Sequence, residues 1–481
     1  MMTSIDIPRL GIPGPRRLTL VVAVCLLSLT ALELRSARAG GFDTKGLGSR
    51  ALGMGGAAIG LADDWSAVYW NPAGLAFLKG GGFSFEFQTL FSEARSSMSV
   101  RNIPGPPPDY LAGDFVKFEP TRDIEPDRFG NKTLGAFIPT PDFGWYGNYG
   151  DYTLATGLYA TSGGGVAWED RLDGFDPNAM NDAIEGNISL GFFTLNVPFA
   201  VAVKFWDRVA LGINVAAVIG YNTRAVTKVY DYADPNLTDL KFENSSESFG
   251  VGLGVDLGLQ VKLTETLSLG GVFRAPYTVN GSGSSYFEIP QRADCGEPDC
   301  AFEAYAEEAD NEVVTEQPMR WGVGLGYTPT ARLKMDVDFY WVAHSDFITK
   351  SSYGVPEGTY NYLTDSNPAW GFEDAFMVRS GMEYLVGASA AVRAGFIYDP
   401  SPFKAERASL TSPRFTDAYI ATAGYGQAFG HWRMDLAYQY VYSPERQGTV
   451  TTPSPDGVPT SEVMAITAQA HVATATIGYV Y

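Results

Sequence analysis

The chain of 481 residues is acidic, with a formal net charge of −20, rich in glycine (54) and aromatic residues (13%), and poor in charged ones (18%). The charge excludes a nucleic-acid binder that works through a basic surface, and a mean hydropathy near zero excludes a polytopic helical membrane protein. Three cysteines exclude a disulfide-dense module, and three histidines (His344, His431, His471) without HExxH or CxxC exclude a multi-histidine metal site.

Residues 1–39 read as a cleaved signal peptide. Arg9, Arg16 and Arg17 precede Leu18–Ala31, an apolar run of 14 residues that is too short for a comfortable span. Ala37-Arg38-Ala39 fits a cleavage site, so the mature chain is expected to begin at Gly40. An uncleaved anchor helix is the other reading of this run. Arg16-Arg17 fits twin-arginine export poorly, and Cys25 lacks the small residue that a lipoprotein site needs before it. The leader removes five basic and two acidic residues, which makes the mature chain more acidic still. Beyond Gly40 no stretch approaches 18 consecutive apolar residues, so membrane insertion requires a closed barrel.

Residues 40–80 do not alternate. They are small residues with short helical runs; Asp64, after Asp63, is placed to cap a helix running to about Tyr69, and Pro72 stops it. A compact segment ahead of the first strand is the right size to plug a lumen.

Residues 81–481 read as a barrel of strands, with a period-two signal that is strong in the C-terminal half. Leu333, Met335, Val337, Phe339 and Trp341 share one face, opposite Lys334, Asp336 and Asp338. Trp432, Met434, Leu436, Tyr438, Tyr440 and Tyr442 oppose Arg433, Asp435 and Gln439 in the same way. Fourteen strands are expected, starting near Gly82, Thr133, Tyr152, Leu190, Val209, Glu247, Leu267, Met319, Leu333, Phe372, Ala388, Thr416, His431 and His471. Short turns alternate with long polar connections at Ser92–Lys132, Asn222–Ser246, Asn280–Gln317, Ser345–Gly371 and Ser443–Ala470. Such asymmetry, with Tyr and Trp near strand ends, describes an all-β transmembrane antiparallel barrel of the bacterial outer membrane. The last strand, HVATATIGYVY, ends on an aromatic residue, like the signal read by the barrel assembly machinery.

ALGMGGAAIGLADDWSAVYWNPAGLA, RWGVGLGYTPTARLKMDVDFYWV, FEDAFMVRSGMEYLVGASAAVRAGFIYDPSP and WRMDLAYQYVY together resemble the FadL/TodX family, outer-membrane transporters of long-chain fatty acids and hydrophobic hydrocarbons. The resemblance implies a 14-stranded barrel whose lumen is blocked by an N-terminal hatch carrying Asn71, Pro72 and Ala73. It also implies capture by extracellular loops, an internal pocket beside the hatch, and sideways release into the membrane through a kink in the third strand. Gly163, Gly164 and Gly165 are the candidate lateral opening; the start of a flexible loop is the other reading of that run.

Arg379, Glu383, Arg393, Arg433 and Asp435 are candidate lumen charges, costly in lipid and suited to bracing wall against hatch. One basic member is also placed to meet a fatty-acid carboxylate. Cys295 and Cys300 (CGEPDC) are the only cysteines of the mature chain and are expected to form a disulfide in an oxidising compartment. Asp294, Glu297 and Asp299 beside them leave a calcium site or a solvated acidic loop as other readings of this segment. The residues suggest no catalytic set and no cofactor. Passive uptake of hydrophobic small molecules by a monomer in outer-membrane lipid is the leading expectation. A non-transporting barrel with a structural or secretion-associated role is the alternative, and a hatch disfavours an open porin. Fatty acid and aromatic hydrocarbon are not distinguished.

Overall fold

The computed structural model describes residues 46–101, 140–171, 182–231, 240–292, 302–354, 371–404, 416–452 and 460–481. Cys295 and Cys300, the leader and residues 40–45 of the hatch lie outside them. Among the described residues, two short helices, α1 (Ser49–Gly53) and α2 (Ala67–Trp70), and a 3-10 turn (Pro72–Phe77) precede the strands.

The first strands are β1 (Gly81–Arg101), β2 (Thr140–Asn148), β3 (Tyr152–Arg171), β4 (Asp182–Phe205), β5 (Val209–Asp231) and β6 (Leu240–Lys262). β7 (Leu267–Arg274), β8 (Tyr277–Arg292), β9 (Phe302–Gln317), β10 (Arg320–Thr330), β11 (Leu333–Val342) and β12 (Ile348–Gly354) follow. The chain ends with β13 (Ala375–Val386), β14 (Ala390–Asp399), β15 (Ala418–Phe429), β16 (Trp432–Thr452) and β17 (Thr460–Val480). All pair antiparallel in one sheet of 17 segments, and β1 closes it by pairing with both β2 and β17.

Three staves are interrupted, so the segments amount to a barrel of 14. β7 and β8 both lie on β6, broken at Ala275-Pro276. β9 and β10 lie on β8 and β7, broken at Pro318-Met319. β11 and β12 lie on β10 and β9, broken by a 3-10 turn at His344–Asp346. A proline inside a ladder removes a donor, which accounts for the first two breaks.

The short turns fall at one end, at 149–151, 206–208, 263–266, 331–332, 387–389 and 430–431. By the usual asymmetry that end is periplasmic. The opposite end corrects the sequence reading. Strand pairing reaches Arg101, Asp231 and Thr452, and β4, β6 and β17 begin at Asp182, Leu240 and Thr460 instead of Leu190, Glu247 and His471. Most of Asn280–Gln317, and Ile348–Gly354 within Ser345–Gly371, is strand. Backbone pairing sustains these extensions beyond lipid, and charged residues such as Glu185, Glu243 and Glu462 obscure the alternation there. The expected second-strand start at Thr133 lies outside the described residues, whose strand begins at Thr140.

Alternation sorts the wall as lipid requires. Val323, Leu325, Val337, Phe339, Val378 and Met382 are exposed on the outside. Asp336, Asp338, Arg379, Glu383, Arg393 and Asp435 are buried inside. Among the described residues no helix is long and apolar enough to cross a membrane.

Candidate functional site

Residues 46–78 fill part of the lumen, and Leu47, Leu52, Trp65, Val68, Trp70 and Leu75 are buried there. Helices as short as α1 and α2 leave most of their backbone groups without internal partners. Lumen side chains supply those partners. Glu86 accepts from the Gly48 and Ser49 N–H groups at 3.0 and 2.7 Å. Asp338 accepts from Ala58 and Ile59 at 2.8 and 3.0 Å, and Asp336 from Leu61 at 2.8 Å. Gln260 Nε2 and Ser268 Oγ donate to the Gly60 carbonyl at 2.8 and 2.6 Å. Asp64 accepts from the Ser66 N–H and hydroxyl at 2.8 and 2.5 Å, so it ties the turn just before α2 and does not cap the helix itself.

Asn71 is fully buried. Its Nδ2 donates to the Ile59 and Leu259 carbonyls, both at 3.0 Å, and its Oδ1 accepts from the Ala73 N–H at 3.2 Å. One amide thus joins two parts of the N-terminal segment to the β6 wall. Pro72 and Ala73 lie against the β5 and β6 backbones at Gly212 and Gly258. The approach requires glycine: a Cβ at Gly212 would lie 2.3 Å from the Pro72 carbonyl carbon, and on β2 a Cβ at Gly144 would lie 1.8 Å from Trp65 Cε3.

Four of the five expected lumen charges form one network with Arg50 of α1. Arg50 Nε and Nη2 each donate to Glu383 at 2.9 Å, and its Nη1 meets Asp63. Lys334 reaches Asp63 at 2.6 Å. Arg393 Nε donates to Glu383 at 2.7 Å, its Nη2 pairs with Asp435 at 2.7 Å, and Arg433 meets Asp435 at 2.8 Å. Burial alone would raise the Asp63 carboxyl, but the Arg50 guanidinium and then the Lys334 ammonium hold it well below the usual carboxylate range. Arg379, the fifth, lies opposite Asp338 in the β11–β13 register. Its Nε lies 3.0 Å from Met377 Sδ, and its guanidinium is 5.0 and 5.3 Å from the Trp70 and Tyr340 ring centres.

Arg379, Ile397, Ile420, Val441 and Ala470 occupy successive positions of one register row across β13–β17. With Ile59, Val272, Tyr340 and Met377, the apolar members make a second buried cluster on the extracellular side of the charge network. The inner wall changes there from charged to apolar.

The third strand is irregular. The β2–β3 ladder runs from Asn148↔Thr153 to Phe143↔Leu158, and among the described residues Thr140–Asp142 pair with β1 alone. The β3–β4 register skips from Thr156↔Phe199 to Tyr159↔Asn196, opposite Pro198, and bulges between Ala160 and Ser162. Gly163, Gly164 and Gly165 pair with Phe193, Phe192 and Gly191 of β4. The irregular stretch therefore ends where the glycine run starts.

Glu86, Asp142, Gln260 and Arg50 received no role from the sequence. Their only signal was a polar residue on the inward-facing parity of a strand, or a lone arginine among small residues.

A closed antiparallel barrel with an apolar outer belt and a charged inner wall is an outer-membrane barrel. The chain belongs to the outer membrane protein transport protein family (OMPP1/FadL/TodX), whose profile matches residues 31–481. Alkane uptake protein A of Marinobacter nauticus is 33% identical over 87 residues, a stretch spanning 17% of this chain and only 19% of that relative. The fold is similar to that of a Pseudomonas aeruginosa FadL homologue, with TM-score 0.68 and 16% identity over 92% of this chain and 99% of that one. It is also similar to the Pseudomonas putida toluene transporter TodX, with TM-score 0.62 and 16% identity over 91% and 99%. For the Ralstonia pickettii toluene transporter TbuX the TM-score is 0.59 and the identity 17%, over 91% and 99%.

Proposed function

We propose that this barrel takes up hydrophobic small molecules without energy input and releases them sideways into the outer membrane. The observation that carries the reading is the apolar row Ile397, Ile420 and Val441, placed directly beyond a lumen segment held by the Arg50–Glu383–Arg393 network. A hydrocarbon gains roughly 0.8 kcal/mol per CH₂ on leaving water, so an apolar chamber captures it unaided. Residues 40–80 act as the hatch that closes the straight route. Transfer from chamber to lipid is nearly neutral for the chain, whereas an aqueous exit returns the full cost per CH₂. The irregular stretch of β3 from Gly157 to Ser162, which leads into Gly163–Gly165, is the proposed exit. The family and the match to an alkane uptake protein support hydrophobic cargo.

The test is uptake of radiolabelled hexadecane, toluene and oleate by cells with and without the chain, with mass spectrometry of molecules retained by the purified barrel. Chain-dependent hydrocarbon uptake and a retained apolar molecule are expected. Equal uptake of all three by both cell types would favour a structural or secretion-associated barrel.

A further inference from the structure

Two consecutive residues of β2 cancel the next rung of its ladder with β3. Asn148 donates its N–H to the Gly80 carbonyl on the β1 side. Backbone groups alternate sides along a strand, so Gly147, Trp145 and Phe143 face β3. Phe143↔Leu158 is the last paired position, and continuing the register brings Pro141 opposite Ala160. Pro141 has no N–H to offer the Ala160 carbonyl. The Ala160 N–H would complete the rung on the Pro141 carbonyl, but it donates instead to Asp142 Oδ1 at 3.1 Å. Both hydrogen bonds of that pair are therefore replaced or removed.

Asp142 is buried and lies directly opposite Glu86 in the β1–β2 register. Glu86 in turn holds the Gly48 and Ser49 N–H groups. Neighbouring carboxyls thus grip the seam on one side and the N-terminal segment on the other.

We propose that Asp142 is a positioning residue for lateral release: together with Pro141 it keeps the β2–β3 seam from zipping beside the hatch. The proposal rests on the lateral-exit reading above. Its chemistry is that of an acceptor standing in for a backbone carbonyl, so asparagine at 142 keeps the function and alanine does not.

The experiment measures labelled hexadecane uptake by cells, with surface expression checked on each variant. In P141A/D142A the missing donor returns and the competing acceptor goes. Uptake should fall about tenfold, the weight of one to two backbone hydrogen bonds in a two-state opening. Amide exchange across Leu158–Ser162 should slow in the same variant. Asp142→Asn should stay within about twofold of wild type, because its side-chain oxygen still accepts. Pro141→Ala alone adds only a donor and should lower uptake if the double variant fails to assemble. Wild-type uptake in P141A/D142A, or Asp142→Asn as impaired as the double variant, would overturn the proposal. Gly164→Trp separates the two readings. If it blocks uptake while P141A/D142A does not, the Asp142 role fails and the lateral exit stands. If neither variant lowers uptake, the lateral exit fails as well.

Discussion

The β13–β17 wall and the β2–β4 wall are built from the same kind of strand and behave differently. Between β13 and β15 every register position from Val386↔Ala390 to Val378↔Tyr398, and from Ala390↔Gln427 to Asp399↔Ala418, is kept. That wall also grips the N-terminal segment through Glu383, Thr422 and Gln439. In the β2–β4 wall two prolines, Pro141 and Pro198, and one bulge fall within a few positions of each other. The β16–β17 ladder also bulges, between Ser443 and Arg446 around Pro444, so the contrast in regularity is between β13–β15 and β2–β4.

The largest expected effect lies on the gripping side. Glu383→Ala leaves Arg50 and Arg393 without their shared carboxylate in a buried site, a loss of about 3–5 kcal/mol. Thermal unfolding in detergent should show it, with raised ion conductance as the hatch loosens. Next, Gly144→Val forces a side chain into the Trp65 ring, at a cost of about 2–3 kcal/mol by overpacking. Conductance should rise here too, with the strand content by circular dichroism unchanged. Asn71→Ala strands the Ile59 and Leu259 carbonyls, about 1–2 kcal/mol, and should raise conductance less. Unchanged conductance in all three would contradict the role of these contacts in holding residues 46–78 in the lumen.

The smallest effect is that of pH. The Asp63 carboxyl is depressed in the folded chain, so its contribution is present above the usual carboxylate range and lost as pH falls through the lowered value. Hatch retention should therefore weaken progressively from the usual carboxylate range into strong acid. In Lys334→Ala, which removes one of the two cations, the carboxyl is depressed less, so the loss should be smaller and complete at a higher pH. Identical acid profiles for the two proteins would contradict this.

The barrel was legible because lipid enforces a strict period: Val337 and Phe339 point outward and Asp336 and Asp338 inward, as their spacing says. The extracellular extensions that open at Asp182, Leu240 and Thr460 were less so, since charged residues such as Glu185, Glu243 and Glu462 dilute the apolar signal there. The charges Glu383, Arg393, Arg433 and Asp435 were legible as a set, because each is intolerable in lipid. Their partner Arg50 was not, as it lies in a segment without periodicity. The glycine run at Gly163–Gly165 drew attention to β3, yet the irregularity begins before it. Pro141 and Asp142 act only through their register with Ala160, and register is invisible along a single strand.

The most direct test of exit through the wall is a reversible lock. Cysteines at positions 141 and 160, joined by a short cleavable thiol cross-linker, hold the β2–β3 seam shut in the assembled barrel. Hexadecane uptake should be abolished on cross-linking and return on cleavage, while ion conductance stays at the level of the uncross-linked variant. Undiminished uptake in the cross-linked barrel would contradict lateral release and place the exit elsewhere.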